Sequence, residues 1–476
     1  MRVTVIGTGY VGTVTGVCLG YLGHRVTCVD TDASKIAKLR SGEIPIFEPH
    51  LADLLPLARK RGGVEFETEL APAVAASDVI FIAVGTPSQP GGEANLSYLE
   101  AAARSIGAAM DTSRFRVVVN KSTVPVGCGN LVETLVREGI SDGGRDPNIR
   151  FGVASNPEFL REGSAIADSL FPDRIVLGSE DGQTIDVLRQ LYRRLIEQDF
   201  EPPAPFRRPD WIGKVPLVTT TLTSAEMIKY AANAFLAMKI GFSNEMANIC
   251  EKVGADALEV MAGIGFDSRI GLSFLNAGIG WGGSCFGKDI QSLLHIAGEY
   301  GYQARLLEAS LAVNRQQRHL VIQKLQEKLY ILKGRTVGLL GLAFKPNTDD
   351  LRDAPSLQIA EKLLQMGARV RVYDPVAMEA CREQYPGLRI TYCPDVAAVA
   401  AKADALVVVT EWPEFKILDL PFLAGRMAHA VLVDGRNLFD PETARRAGFD
   451  YAGVGRGARQ NGNGEKPAEV VLAEAG

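Results

Sequence analysis

The sequence predicts an α/β protein with two Rossmann-like, doubly wound domains joined by a long central helix and a helical region. Three observations lead to this prediction. A glycine-rich strand-to-helix turn opens the chain, a long apolar helix begins near Thr223, and a second α/β unit begins at Lys333. Strands alternating with helices in this way are typical of parallel sheets that are covered by helices on both faces.

These observations divide the chain into four segments. We expect a first Rossmann-like domain over 1–215, a central helical domain over 216–332 and a second Rossmann-like domain over 333–457. The last segment, 458–476, is rich in Gly, Asn, Glu and Ala and has no periodicity, which predicts a disordered tail.

The opening turn has the spacing G-x-G-x-x-G directly after a short β-rich run. Its residues are Gly7, Gly9 and Gly12, with Tyr10 and Val11 between them. Such a turn lets backbone N–H groups approach a pyrophosphate. The next predicted strand ends at Asp30, where a carboxylate suits the ribose 2′-hydroxyl of NAD and repels the 2′-phosphate of NADP. The sequence therefore predicts an NAD site.

Two later strands of the first domain also end in small polar residues. The run from Asp78 to Val84 precedes Thr86, and the run from Phe115 to Asn120 precedes Thr123. Ligands of open parallel sheets lie beyond the carboxyl ends of the strands, so both threonines can line the cofactor crevice. Capping of a following helix is an equally good interpretation of a threonine at this place.

The composition excludes several classes of protein. The 476 residues are 46% hydrophobic and 22% charged with a net charge of -5, which offers no basic face for nucleic acid. No apolar run approaches the roughly 20 residues that span a bilayer, so we expect no membrane association. The seven cysteines are scattered and form no C-x-x-C pair, which favours a reducing, cytoplasmic location and argues against structural zinc or any other metal.

The central helix begins with T-S-A-E, which predicts a capping box between Thr223 and Glu226. Lys229 and Asn233 are four residues apart in an otherwise apolar stretch, so they share one face of the helix. A buried lysine is costly unless it is paired or functional. A snorkelling surface lysine and a core amide are the structural alternatives.

The segment AGIGWGGSCFGKD presents a cysteine. Glycines at 278, 280, 282 and 283 allow a ligand to approach closely, and Cys285 follows at the start of a predicted helix over 288–299. The helix N-terminus and the nearby Lys288 are expected to lower the pKa of the thiol and so favour a nucleophile. In the second α/β unit the glycine triplet is absent and Phe344-Lys345 takes its place, which predicts a different phosphate ligand.

Seven motifs in order resemble the UDP-glucose 6-dehydrogenase family over about residues 1–457. They are GxGYVG, KSTVPVG, SNPEFLREGSAI, the Lys229/Asn233 helix, RIG…GWGGSCFGKD, FKPNTDDLRDAPS and VVVTEW. The resemblance implies that two NAD molecules oxidise the C6 alcohol of UDP-glucose to a carboxylate. It also implies dimerisation through the helical region.

The resemblance assigns roles to individual residues. Cys285 forms a thiohemiacetal and then a thioester, while Lys229 and Asn233 stabilise the reacting oxygen. The family's remaining catalytic positions are Asp289, Thr123 and Glu158. Cofactor contacts are implied at Tyr10, Val11, Lys35, Thr86, Thr123, Glu162, Lys288 and Arg352. Substrate contacts are implied at Glu158, Phe159, Leu160, Arg161, Lys229, Asn233, Asn276, Gly280, Gly282, Phe344, Lys345 and Arg436, with Arg269 reaching across a homodimer.

Alternatives remain open at this point. GDP-mannose or an N-acetylated UDP-hexose would support the same four-electron chemistry. A two-electron hydroxyacid-type dehydrogenase would not need Cys285, and a noncatalytic nucleotide-sugar binding protein would need neither the cofactor turn nor the cysteine loop. The chain also departs from the commoner family pattern in the Pro-rich stretch 198–214 and in the tail.

Overall fold

The computed structural model describes residues 1–87, 89 and 91–456. The predicted tail at 458–476 lies outside these residues. Within the described part of the chain, two mainly parallel sheets are joined by a group of long helices, which confirms the predicted fold class.

The first sheet has eight strands. In chain order they are β1 (Arg2–Ile6), β2 (Arg25–Val29), β3 (Val64–Glu67), β4 (Val79–Ile82), β5 (Arg116–Asn120), β6 (Phe151–Ser155), β7 (Ile175–Gly178) and β8 (Leu217–Thr220). Their spatial order is β3-β2-β1-β4-β5-β6-β7-β8, and all pairs are parallel except β6 with β7. Because β8 pairs with β7, this sheet extends past the predicted domain boundary at residue 215.

Helices cover both faces of this sheet. They are α1 (Tyr10–Tyr21), α2 (Ala33–Ser41), α3 (Leu51–Arg61), α4 (Leu70–Ala76), α5 (Ser97–Ala109), α6 (Cys128–Asp142), α7 (Ala165–Leu170) and α8 (Gly182–Ile196). One buried core packs α1, α3 and α8 against the sheet, and a second packs α5 and α6 against its other face. The inner strands β4 and β5 are buried along their whole length, as expected for a parallel sheet between two helix layers.

Four helices form the centre of the molecule: α9 (Leu222–Val253), α10 (Ala257–Gly265), α11 (Phe286–Glu299) and α12 (Arg305–Leu329). The predicted capping box at the start of α9 is wrong. The cap is Thr221, whose hydroxyl accepts the Ser224 N–H at 3.2 Å. Glu226 is buried instead and accepts the N–H groups of Gly127 and Gly129 at the start of α6. Its carboxylate thus caps the N-terminus of α6 and not that of its own helix.

The second sheet has six parallel strands. The elements in chain order are β9 (Thr336–Leu340), α13 (Pro355–Gln365), β10 (Arg369–Tyr373), α14 (Met378–Gln384), β11 (Thr391–Tyr392), α15 (Val396–Ala400), β12 (Ala405–Val408), a 3-10 helix (Pro413–Ile417), α16 (Leu420–Arg426), β13 (Val431–Asp434), α17 (Pro441–Arg446) and β14 (Asp450–Gly453). The spatial order is β11-β10-β9-β12-β13-β14. It repeats the order of the first six strands of the other sheet, β3-β2-β1-β4-β5-β6.

The two sheets differ at the acid that ends their second strand. Asp374 follows β10 as Asp30 follows β2, but its carboxylate is already saturated. Oδ2 accepts N–H groups of Leu342, Ala343 and the Trp412 indole, and Oδ1 accepts those of Val376 and Ala377. Asp374 therefore holds its own loop together and has no capacity left for a ribose hydroxyl.

Within the described ranges, no helix is both long and apolar enough to cross a bilayer. Even α9, the longest, contains buried charged and amide side chains along its length. Those polar groups belong to the candidate site.

Candidate active site

The first turn brings two backbone segments into direct contact. A Cβ on Gly12 would lie 1.9 Å from the carbonyl oxygen of Gly7, so no side chain fits there. Gly9 caps α1 without any side-chain hydrogen bond, and a Cβ there would face open space. The free N–H groups at this helix end can therefore meet a pyrophosphate, as NAD binding requires.

Asp30 stands at the end of β2 beside this turn. Its Oδ2 accepts the N–H and the hydroxyl of Thr8, both at 2.7 Å, and its Oδ1 accepts the Asp32 N–H at 3.0 Å. Burial raises the pKa of this carboxyl, but these hydrogen bonds and Lys35, at 3.6 Å, outweigh burial and hold the pKa below its usual value. Asp30 is ionised at neutral pH, which suits a ribose hydroxyl and opposes a 2′-phosphate.

The loop after β6 is fixed by the cofactor turn. Glu48 accepts the hydroxyl of Tyr10, the Gly163 N–H at 2.7 Å and the Ala165 N–H at 2.8 Å. The Gly163 N–H also approaches the Tyr10 hydroxyl at 2.9 Å. Tyr10, predicted as a cofactor contact, therefore connects the glycine turn to the loop that carries Glu158.

Lys229 and Glu158 form a buried ion pair, with Nζ and Oε1 3.0 Å apart and both side chains less than 10% exposed. Burial lowers the pKa of Lys229, but Glu158, Cys285 and Asp289 outweigh it and the net shift is upward. Burial likewise raises the pKa of Glu158, and the Lys229 ammonium and the Leu160 N–H bring it below its ordinary value. Both groups stay charged, so the pair is a preformed dipole in a protected site.

The second side chain on the same face of α9 contacts α11. The Asn233 amide donates to Asp289 Oδ2 at 2.6 Å, and Lys288 Nζ lies 2.8 Å from Asp289 Oδ1. This last contact is an ion pair whose angles lie outside hydrogen-bond geometry, so Oδ1 keeps accepting capacity. Asp289 is held in place by an amide and can still accept a proton or a water.

Cys285 lies at the N-terminus of α11 beside these pairs, and it is the exposed cysteine among the seven, all of which are free. The expectation of a lowered thiol pKa is wrong. Protein surrounds the thiol on most sides although its surface is open to water, and this burial, with the carboxylates of Glu158 and Asp289, raises its pKa despite Lys229 and Ser284. The Lys288 ammonium, which was expected to lower this pKa, pairs with Asp289 instead.

Side chains of α9 and α12 hold the glycine-rich loop that precedes Cys285. Asn244 Oδ1 accepts the Gly278 N–H at 2.8 Å, and Asn314 Oδ1 accepts the Trp281 N–H at 2.8 Å. Arg318 donates to the Trp281 carbonyl at 2.9 Å and to the Asp353 carboxylate at 2.6 Å. These hydrogen bonds hold the loop against α9 and α12, and Arg318 connects it to Asp353 of the second domain.

The second domain closes over the same loop. Gly283, with φ +85°, lies so close to the Phe344 ring that a Cβ would be 2.8 Å from it. Arg436 donates to the Gly280 carbonyl at 3.2 Å and pairs with Glu411 at 3.2 Å. The elements on both sides of the cysteine thus form one site.

The family models match along the whole of this architecture. They describe the NAD binding domain of the UDP-glucose/GDP-mannose dehydrogenase family at residues 1–196, its central domain at 223–316 and its UDP binding domain at 338–441. The chain belongs to this family. The predicted NAD cofactor is confirmed by the first of these matches.

Individual relatives agree over nearly the full length. The chain is similar to UDP-glucose 6-dehydrogenase of Rhizobium meliloti, with 47% identity covering 96% of this chain and 100% of that one. It is 46% identical to UDP-glucose 6-dehydrogenase TuaD of Bacillus subtilis, covering 96% and 94%. Among solved structures, a UDP-glucose dehydrogenase from Pyrobaculum islandicum has a TM-score of 0.84 at 39% identity, covering 95% and 97%.

Several residues that the family resemblance assigned come together between the two sheets. Glu162 pairs with Arg352 at 3.1 Å and accepts the Thr348 hydroxyl at 3.1 Å. Burial and Asp350 raise the pKa of Glu162 to about 7. Burial lowers the pKa of Lys345. These contacts connect the loop after β6 to the second domain of the family fold.

Other assigned residues are exposed or have partners outside the pairs beside Cys285. Arg269 is 87% exposed and its guanidinium pairs with Asp267, and Asn276 is also exposed. Arg161 pairs with Asp168 at the surface. Thr86 donates to the Thr123 carbonyl at 2.7 Å, so its hydroxyl fixes a loop. Their roles toward ligands stay predictions.

Residues that the sequence analysis did not single out complete the site. Lys121, directly after β5, is buried and donates to Asn156 Oδ1 at 3.1 Å. The signal that could have identified it is the same one that marked Lys229, a lysine bordering an apolar run. Asn314 and Arg318 gave no such signal, because polar residues are common along α12.

Proposed function

We propose that this protein is an NAD-dependent UDP-glucose 6-dehydrogenase that oxidises UDP-glucose to UDP-glucuronate through a cysteine-bound intermediate. The observation that carries the proposal is the position of Cys285. Its exposed thiol stands beside a buried lysine–glutamate pair and a buried asparagine–aspartate pair, on a loop held by both domains. A two-electron dehydrogenase would not need such a thiol.

The first oxidation uses Lys229 and Glu158. Bound NAD supplies the hydride acceptor. As the C6 hydroxyl of the sugar gives its proton to Glu158, negative charge develops on the oxygen, where the Lys229 ammonium and the Asn233 amide can stabilise it. The C6–H bond then breaks as its hydride leaves, and the C–O bond becomes the carbonyl of the aldehyde. Because both donors are already fixed by Glu158 and Asp289, they need no reorganisation when the charge appears.

The covalent step fits a neutral thiol. As the sulfur of Cys285 attacks the aldehyde, the C–S bond forms, the carbonyl π bond opens and the thiol proton is transferred to the new oxygen. The resulting thiohemiacetal then loses a hydride and its hydroxyl proton to give a thioester. No net charge is left on the sulfur at any resting stage, so the raised thiol pKa is compatible with this route.

Hydrolysis uses Asp289. A water that donates a proton to the open lone pairs of Oδ1 becomes the nucleophile, the C–O bond forms and the C–S bond breaks, and the thiol recovers a proton. The side-chain amide of Asn233 holds the other carboxylate oxygen at 2.6 Å. Retention of the aldehyde on sulfur prevents its release before the second oxidation.

The predicted substrate contacts agree with a nucleoside diphosphate sugar. Lys345 and Arg436 are cations on the second-domain side of the cysteine loop, and Phe159, Leu160 and Phe344 supply apolar surface. A diphosphate favours such cations. The relatives with 46% and 47% identity carry the name UDP-glucose 6-dehydrogenase, which favours UDP-glucose over GDP-mannose or an N-acetylated UDP-hexose.

We further propose a homodimer built on α9. Phe235, Phe242 and Ile249 are all more than 45% exposed and recur every seven residues, so they form one apolar stripe along the helix. Arg269 would then complete the partner's site, as the family resemblance implies. We propose the predicted domains, 1–215, 216–332 and 333–457, with the first boundary moved to Thr220 because β8 belongs to the first sheet. The seven free cysteines support a reducing, cytoplasmic location.

The test is a panel of nucleotide sugars with NADH counted per molecule consumed. UDP-glucose should give two NADH and almost no free aldehyde, and GDP-mannose and UDP-N-acetylhexoses should give little turnover. One NADH with accumulating aldehyde would contradict the covalent route. Turnover of another sugar in preference to UDP-glucose would change the assigned substrate and keep the chemistry.

A further inference from the structure

A cavity of about 80 Å³ lies on the side of the 156–160 loop that faces α1 and α8. Its inner wall carries the buried polar side chains of Lys121, Asn156, Glu158 and Tyr192. Its lining also includes Asp168 and Arg174, which are partly exposed. A single water needs roughly 10–15 Å³ of such space and at least two polar partners, so this cavity can hold several waters.

Lys121 has fewer hydrogen-bond acceptors around it than its buried ammonium group has donors. Within the described part of the chain its one hydrogen bond goes to Asn156 Oδ1 at 3.1 Å, an atom that also accepts the Tyr192 hydroxyl at 2.6 Å. The Phe81 ring, with its centroid 5.8 Å from Nζ, adds a weak cation–π contact. An ammonium has three donors, so waters in the cavity are the partners available to the other two.

The groups around the cavity differ in their readiness to exchange protons. Burial lowers the pKa of Lys121 to about 8, with Glu158 opposing and Lys229 reinforcing that shift. Burial raises the pKa of Cys18 to about 12 and also raises that of Tyr192, so both stay protonated. The remaining charged groups are outer ones: Arg174 stacks on the Phe159 ring at 3.7 Å, and Asp168 pairs with Arg161.

We propose that this cavity is a hydrated route by which protons leave Glu158 during turnover, and that Lys121 is the group that relays them. The inference rests on the proposed function, because each oxidation there releases a proton into a site whose own carboxylates and ammonium groups are enclosed. Glu158 faces the reaction on one side and lines the cavity on the other.

The relay conserves protons at each transfer. The O–H bond of the substrate hydroxyl breaks and an O–H bond forms on Glu158. The Lys121 ammonium passes one proton to cavity water, which carries it to bulk water past Asp168, and the resulting amine takes the proton from Glu158 through an intervening water. Glu158 is a carboxylate again, Lys121 is an ammonium again, and one proton has left the site.

The experiment compares two replacements of Lys121 in the full-length enzyme. Lys121→Arg keeps the charge and the donors but cannot release a proton in this pH range. Lys121→Ala removes the group and leaves space for a small amine. Both should lower kcat by on the order of tenfold or more at pH 7.5, with little change in the KM for UDP-glucose. Ammonium or methylamine should restore much of kcat in the alanine variant.

Two controls separate a relay from a structural role. Lys324→Met replaces another buried lysine, paired with Glu251 in the central helices, and should leave kcat unchanged and unresponsive to amines. Ser169→Leu places an apolar side chain on the cavity wall while leaving Lys121 unchanged, and should lower kcat while UDP-glucose binding stays intact.

Full activity in Lys121→Arg would overturn the relay, because charge alone would then be sufficient. Losses in both variants that no amine restores would also overturn it, since Lys121 would then act by holding Asn156. The wild-type NADH count tests the proposed function separately: if UDP-glucose is not oxidised, that function fails, whereas a normal wild type with unaffected Lys121 variants refutes only the route.

Discussion

Replacing Lys229 by Met tests whether the buried ion pair organises the site. The variant keeps an apolar stem of similar length but leaves the Glu158 carboxylate, 7% exposed, with the Leu160 N–H as its remaining close partner and Lys121 as the nearest cation along the cavity. Breaking one half of a buried pair costs about 3–5 kcal/mol. We therefore expect the free energy of unfolding to fall by that amount at pH 8.

The wild type and the variant should differ in how their stability depends on pH. In the wild type the lowered pKa of Glu158 stabilises the fold above its unfolded value of about 4.3, and the raised pKa of Lys229 stabilises it below about 10.4. Stability from the pair is therefore flat between these limits. In the variant the Lys229 ammonium no longer offsets burial, so burial raises the pKa of Glu158. Protonation of Glu158 then removes the buried charge as the pH falls toward 5, and the variant regains stability.

Urea unfolding followed by tryptophan fluorescence at pH 5 and pH 8 measures this difference. The double variant Lys229→Met/Glu158→Gln removes both charges and should be less destabilised at pH 8 than the sum of the two single changes. Lys324→Met, which breaks a more exposed pair, should cost less and show no such pH dependence. An equal loss at both pH values for Lys229→Met, or simple additivity in the double variant, would refute the reasoning.

Three further changes test other parts of the site. Cys285→Ser should reduce turnover to two NADH by on the order of 100-fold or more while UDP-glucose and NAD still bind by calorimetry, and near wild-type completion of both oxidations would exclude the thioester. If Arg269 completes the partner's site in the proposed dimer, Arg269→Ala should weaken UDP-glucose binding much more than NAD binding, and equal losses for both ligands would show an effect through folding. Gly12→Ala should abolish NAD binding, because the new Cβ would meet the Gly7 carbonyl at 1.9 Å, and retention of NAD affinity would contradict the close approach described for this turn.

The features that sequence predicted correctly are those whose chemistry is local. The turn from Gly7 to Gly12 and the acid at Asp30 lie within one strand-helix-strand unit, so their spacing fixes their geometry. The second Rossmann-like unit was predicted for the same reason. That Asp374 has no capacity left for a ribose hydroxyl could not be predicted, because its five donors come from residues that only the folded loop brings together.

Features that depend on distant partners were predicted incompletely. A shared helix face was enough to group Lys229 with Asn233, but the partner carboxylates of Glu158 and Asp289 come from other elements. Glu226 had the spacing of a local cap and instead serves Gly129, which is 97 residues away in sequence. Helical spacing specifies which side chains share a face and carries no information about what that face contacts.

The thiol of Cys285 is the most informative disagreement. Its position at a helix N-terminus predicted a thiolate, whereas burial and the carboxylates of Glu158 and Asp289 raise its pKa and favour a thiol. The two ammonium groups of Lys229 and Lys288 are already matched by the carboxylates of Glu158 and Asp289. A resting thiolate would add an unmatched negative charge to this enclosed site and would weaken the attraction between Lys229 and an alkoxide. In the proposed mechanism a neutral thiol lets negative charge appear first on the reacting oxygen, where the Lys229 ammonium would stabilise it. Stabilisation is then confined to the transition state, which is the condition under which fixed charges raise kcat.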